Sequence, residues 1–177
     1  MPHDRDPDQL RVVKALAEHV EGINPEQDDC DVEYDFDLTD RVYRGRSVIT
    51  AEDAESAVSI LEAAQNYNVP ETEPNFGHGQ VLLLVQGWPE DDKEHPSDPA
   101  YRLMAEVRQR LSMIVQEKDN GRGPLYPDIH LLGGEITSLK IGQGVVRPPE
   151  DGVSRLAMFF IPVLVKFKMD HSDPWAQ

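Results

Sequence analysis

Apolar residues recur every three or four positions at Leu10, Val13, Ala17 and Val20, with Leu16 in support, and this spacing predicts a first helix. Its ends are punctuated. Asp6 is placed to cap, Pro7 takes the first helical position, Gln9 fills the capping-box slot and Gly22 stops the run. A second helix opens at Asp98-Pro99, carries Met104, Val107, Leu111 and Ile114 on one face, and is expected to stop at Asn120-Gly121. Arg102, Glu106 and Arg110 follow one another at four-residue intervals on its other side. They read as a solvated ion-pair ladder worth a few tenths of a kcal/mol.

Between and after the helices the period changes to two. Residues 57–62 and 80–87 are short apolar runs; in the second, Val81, Leu83 and Val85 oppose Leu82 and Leu84, so both faces need cover and a central strand is predicted. Residues 135–141 place Thr137, Leu139 and Ile141 on one face and Ile136, Ser138 and Lys140 on the other, as in a half-covered strand. The last run, 155–168, is long enough to project past a sheet, and Pro162 within it argues for an edge, a bulge or a bend. A further strand pair is expected around Val42-Tyr43 and Val48-Ile49, flanking Arg44-Gly45-Arg46. The order predicts an α+β fold, a mostly antiparallel sheet flanked by two helices. It forms a single domain over 1–177, with short flexible termini at about 1–6 and 169–177. Two helices cover one face of a sheet well, so the surplus apolar residues on the other face point to a neighbouring subunit.

Charge narrows the function. With 17 basic and 33 acidic side chains the net charge is −16, the opposite of what a nucleic-acid binder uses to neutralise phosphates. A lone cysteine, Cys30, cannot form an internal disulfide, which fits a reducing compartment. No basic start followed by an apolar run suggests export, and the longest apolar stretch, 156–165, is half of a bilayer span, so a soluble intracellular chain without a membrane is expected.

Chemical signatures fail one by one. Asp31, Glu33, Asp35 and Asp37 alternate as calcium-loop ligands do, but Phe36 stands where glycine is needed and Val42 where glutamate is. The commoner outcome for such a run is a solvated acidic edge that discourages strand pairing. His19-Val20-Glu21 lacks the cysteine pair of a zinc deaminase, and Gly142-Gln143-Gly144 is followed by Arg147-Pro148-Pro149 instead of a phosphate-binding helix. No catalytic residue, metal ligand or cofactor is therefore assigned. Arg41, Arg44 and Arg46 surround a glycine turn, and Arg147 and Arg155 flank the proline-rich loop before the last strand. Arginine forks pair well with carboxylates at interfaces, so the acidic run Asp31, Glu33, Asp35 and Asp37 of one subunit against the arginine loop of the next is one reading. Solvation, or pairing within the subunit, is the other.

Several segments together resemble tailed-bacteriophage neck proteins of the tail-terminator, or head-to-tail joining, type. They are Leu10-Arg11-Val12-Val13-Lys14-Ala15-Leu16, Val42-Tyr43-Arg44-Gly45-Arg46, Val58-Ser59-Ile60-Leu61-Glu62, Gln86-Gly87-Trp88, Asp98-Pro99-Ala100-Tyr101-Arg102-Leu103-Met104 and Ile141-Gly142-Gln143-Gly144-Val145-Val146-Arg147-Pro148-Pro149. The likeness runs from about residue 8 to 168 and rests on the order of the segments, none of which is a chemical signature. It implies a small α+β subunit forming a hexameric ring in the virion neck, made in the host cytoplasm, with no enzymatic turnover. The implied partners are its own copies, the tail tube protein, and a head connector, adaptor or stopper. Genomic DNA would pass without specific binding through a lumen whose acidic wall repels phosphate. A portal-bound adaptor or a stopper is the close alternative: twelve copies would favour an adaptor, whereas six favour a terminator or stopper. A small acidic cytosolic metal- or ligand-binding protein or enzyme, using the cluster from Asp31 to Asp37, is the alternative of another class.

Overall fold

The computed structural model describes residues 5–26, 32–48, 55–63, 76–170 and 172–175. Helix α1 spans Asp8–Glu21, one residue later than the pattern predicts, with Pro7 as its N-cap. No side chain caps it. Asp6 instead pairs with Lys14, and Gln9 Nε2 donates to Glu62 Oε1 at 2.7 Å. The buried stripe is also rotated. Val12, Leu16 and Val20 are buried, and Leu10 is 40% exposed. The apolar arc of α1 is broad enough for two phases, and the one adopted also buries His19, which finds a polar partner.

Helix α2 spans Asp98–Met113 and packs Ala100, Leu103, Val107 and Leu111 inward. It ends well before Asn120-Gly121. Those residues instead turn a small loop in which Leu125 N–H donates to the Gln116 carbonyl at 2.8 Å and Gly121 takes φ +64°. The asparagine–glycine pair is a genuine turn signal, but it marks a turn beyond the helix and not the helix end.

The sheet has six strands: β1 (Val42–Arg44), β2 (Ala57–Glu62), β3 (Phe76–Trp88), β4 (Ser138–Ile141), β5 (Val145–Arg147) and β6 (Met158–Asp170). Their order is β1-β2-β3-β6-β4, with β5 also paired to β6. Only β1 and β2 are parallel. The fold is thus α+β with a mostly antiparallel sheet and two flanking helices. A strand at Val48 does not form; Val48 is exposed and unpaired in the sheet, and Ile49 lies outside the described residues.

The two long strands pair from Phe76↔Asp170 to Gly87↔Phe159, so β6 does not project past the sheet. Pro162 sits in the middle of β6, opposite Leu84, and its carbonyl accepts from Gly142 N–H at 2.7 Å on the side away from β3. In a strand the nitrogen and carbonyl of one residue point the same way, so the missing N–H also faces away from β3. There the partner strand is split: β4 pairs with 163–166 and β5 with 158–160. The proline donates nothing where no acceptor strand runs, which reconciles it with an interior position.

The register sorts side chains between two faces. Val58, Ile60, Val81, Leu83, Val85, Leu139, Phe159, Ile161, Val163, Val165 and Phe167 form one core with the inner faces of α1 and α2. Two glycines are part of this packing. A Cβ on Gly79 would lie 2.4 Å from Phe167 and one on Gly87 2.2 Å from Phe159, so each ring lies flat across the facing strand only because glycine is there. At the far end, Asp8 N–H donates to the Pro174 carbonyl at 3.0 Å, which brings 172–174 against the start of α1.

Candidate functional site

The face of the sheet away from the helices alternates with the core positions. Across its centre lie Leu61, Leu82, Leu84, Pro162 and Leu164, all half-buried, with neither α1 nor α2 above them. One row across the sheet runs Tyr43, Ser59, Gln86, Phe160 and Val145. Ser59 and Gln86 in that row are buried, and Ser59 Oγ has no hydrogen-bond partner. Gln86 Nε2 contacts Met158 Sδ at 3.3 Å. Val145 is 54% exposed.

Cations rim this apolar centre. Arg46 stands 4.6 Å over the Tyr43 ring and Arg147 5.8 Å over the Phe160 ring at one end. Lys166 and Lys168, opposite Gln80 and His78, and Lys140, opposite Leu164, are exposed at the other. Among the described strand residues on this face, Asp170 is the only acid. Its Oδ1 accepts from the Ser172 N–H and hydroxyl and from Asp173 N–H, which turns it into the chain end.

The arginines proposed from sequence do not form one cluster. Arg41 ion-pairs with Glu55 inside the subunit. Arg44 aligns with Ile60, on the helix-side face, and lines an open cleft of about 480 Å³ with Pro7, Leu10, Val13 and Glu62. Arg46, Arg147 and Arg155 are elsewhere: the first two on the uncovered face, and Arg155 exposed in the turn before β6. Asp31 lies outside the described residues.

Glu33, Asp35 and Asp37 are exposed and alternate with inward Tyr34 and Leu38, which belong to the helix-side core. This segment is held by α2: the Glu106 carboxylate accepts from Asp35 N–H at 2.9 Å and from Phe36 N–H at 3.3 Å. Burial raises the Glu106 carboxyl above its ordinary value, against the pull of those two donors. Asp37 is held below the usual range by the Thr39 backbone N–H and side chain.

The ladder expected on α2 is therefore not solvated beyond Arg102. Arg110 is 6% exposed and its Nε–H donates to the His19 carbonyl at 2.8 Å. His19 returns the contact, its Nε2–H donating to the Arg110 carbonyl at 2.7 Å, so the two helices are stitched reciprocally. Burial, with Arg110 beside it, lowers the His19 pKa to about 4 despite that hydrogen bond, and the imidazole is neutral. Arginine and histidine were bound to be polar on any helical wheel; nothing in their spacing distinguished a stitch from a solvated face.

Among the described residues no three of His, Cys, Asp and Glu converge where a metal ion could sit, and no helix is long and apolar enough to cross a membrane. The arrangement suits surface recognition by apolar contact and charge. No protein-family model matches the chain, and a search of curated proteins returned no match.

Proposed function

We propose that this chain is a structural subunit of a tailed-bacteriophage neck, a tail terminator that closes into a ring on its own copies and joins the tail tube to the head connector. The observation that supports the reading is the two-sidedness of the sheet: both helices pack on one face, and Leu61, Leu82, Leu84, Pro162 and Leu164 on the other are half-buried with no helix above them among the described residues. A contiguous apolar surface of this kind is what a partner covers. The high negative charge fits a conduit, since carboxylates left on the ring wall repel the phosphates of passing DNA.

The test is native mass measurement of the assembled protein with electron imaging of negatively stained particles. Rings of six copies are expected; rings of twelve would move the assignment to a portal-bound adaptor. A chain that neither assembles alone nor adds to purified tails would refute the reading. Turnover of a small molecule that one side-chain change abolishes would refute it equally.

A further inference from the structure

Most of the carboxylates of this acidic chain lie away from one surface. The uncovered sheet face carries Arg46, Arg147, Lys140, Lys166 and Lys168 around an apolar centre, with Asp170 alone in opposition among its described strand residues. No ion pair joins Lys140, Lys166 or Lys168 to a described carboxylate. An apolar centre inside a polar rim is the anatomy of a protein interface, whereas a DNA-binding face is more polar and more uniformly positive. Ala57, Ser59, Gln86, Trp88 and Met158 at one end of this face are already buried within the subunit, so the surface on offer is the part around Leu61, Leu82, Leu84, Pro162 and Leu164 with Lys140, Lys166 and Lys168 beside it.

The complementary surface is on the same chain. Glu33, Asp35 and Asp37 project at alternate positions, two residues apart, as Lys166 and Lys168 do on β6. They are held in place before any contact, because Glu106 fixes the backbone of Asp35 and Phe36, and Leu38 N–H donates to the Ile23 carbonyl at 2.8 Å. Their buried neighbours Tyr34 and Leu38 belong to the helix-side core, so the carboxylate row lies on the opposite side of the molecule from the cationic sheet face. It cannot reach its own subunit's lysines.

We infer that the cationic, apolar sheet face receives the Glu33–Asp35–Asp37 row of a second copy, head to tail. Such a contact is heterologous and continues from subunit to subunit until rotation closes a ring. The inference rests on the ring reading above and names the surfaces that make the ring.

The experiment is a charge swap read by sedimentation velocity, with circular dichroism to confirm that each variant is folded. Lys166→Glu/Lys168→Glu sets acid against acid, and Glu33→Lys/Asp35→Lys/Asp37→Lys sets base against base; each alone is expected to weaken assembly about 100-fold. Mixed together, the two variants are complementary at every contact and are expected to assemble as alternating subunits. Folded variants that stay apart when mixed overturn the inference. Wild type that assembles, with both variants assembling equally well, also overturns it and leaves the ring reading standing. Wild type that assembles neither alone nor on purified tails overturns both. Duplex DNA retained by the wild type and lost in Lys166→Glu/Lys168→Glu would assign the face to nucleic acid and overturn the inference.

Discussion

Acidification from pH 6.5 to 4 loads one identifiable contact, the reciprocal bonding of His19 and Arg110 between α1 and α2. In the folded protein His19 is neutral down to about pH 4, because burial and the neighbouring guanidinium oppose a second positive charge. In the unfolded chain the same imidazole takes up a proton below about pH 6.5. The unfolded state therefore binds more protons in this window, and stability falls as pH is lowered through it. The loss from this one group is about 2 kcal/mol at pH 5 and about 3 kcal/mol at pH 4, and it is absent above pH 7. Urea unfolding at intervals between pH 4 and 7.5 measures it, with His19→Gln as the reference. A glutamine amide can keep the donor to the Arg110 carbonyl but cannot titrate, and every other titrating group is common to both proteins. The expected result is a pH profile about 3 kcal/mol shallower in His19→Gln. Parallel profiles would show that His19 is not held neutral and would refute the account of the stitch.

Three further outcomes follow from the packing. Arg110→Ala removes the donor to the buried His19 carbonyl and is expected to cost about 2–3 kcal/mol in chemical denaturation; a loss below 0.5 kcal/mol would mean that water satisfies that carbonyl. Gly87→Ala puts a methyl group 2.2 Å from the Phe159 ring and is expected to destabilise by about 1–3 kcal/mol, visible as a lowered Tm, whereas an unchanged Tm would deny that the ring lies flat on the glycine. Arg46→Glu is expected to weaken self-assembly and Arg44→Glu to leave it intact, since the two residues stand on opposite faces of the sheet. Equal effects in sedimentation would contradict that division.

Much of the architecture was legible because its signals were local. The two-sided run at Val81–Val85 marked a central strand, and Asp98-Pro99 opened a helix where one begins. What was hidden depended on partners distant in sequence. The phase of α1 was decided by α2 and the sheet, so Val12 and Leu16 face inward and Leu10 is left out. Pro162 argued for an edge, but its donor-free side was matched by the gap between β4 and β5, which no feature of 155–168 reveals. At the candidate surface, five arginines share a residue type but not a place: Arg44 is on one face, Arg46 and Arg147 on the other, Arg41 in an ion pair with Glu55, and Arg155 in the turn before β6. The lysines that complete the cationic rim have a local signal too: Val165-Lys166-Phe167-Lys168-Met169 carries a period of two that a strand converts directly into a charged outer face.

Imaging of tailed-phage particles assembled in the presence of this chain, with the chain located by a bound label and its copies counted, bears most directly on the proposal that it works by assembly alone. A ring of six subunits at the junction of head and tail is the predicted result. Finished, infectious particles that contain none of it would contradict the account.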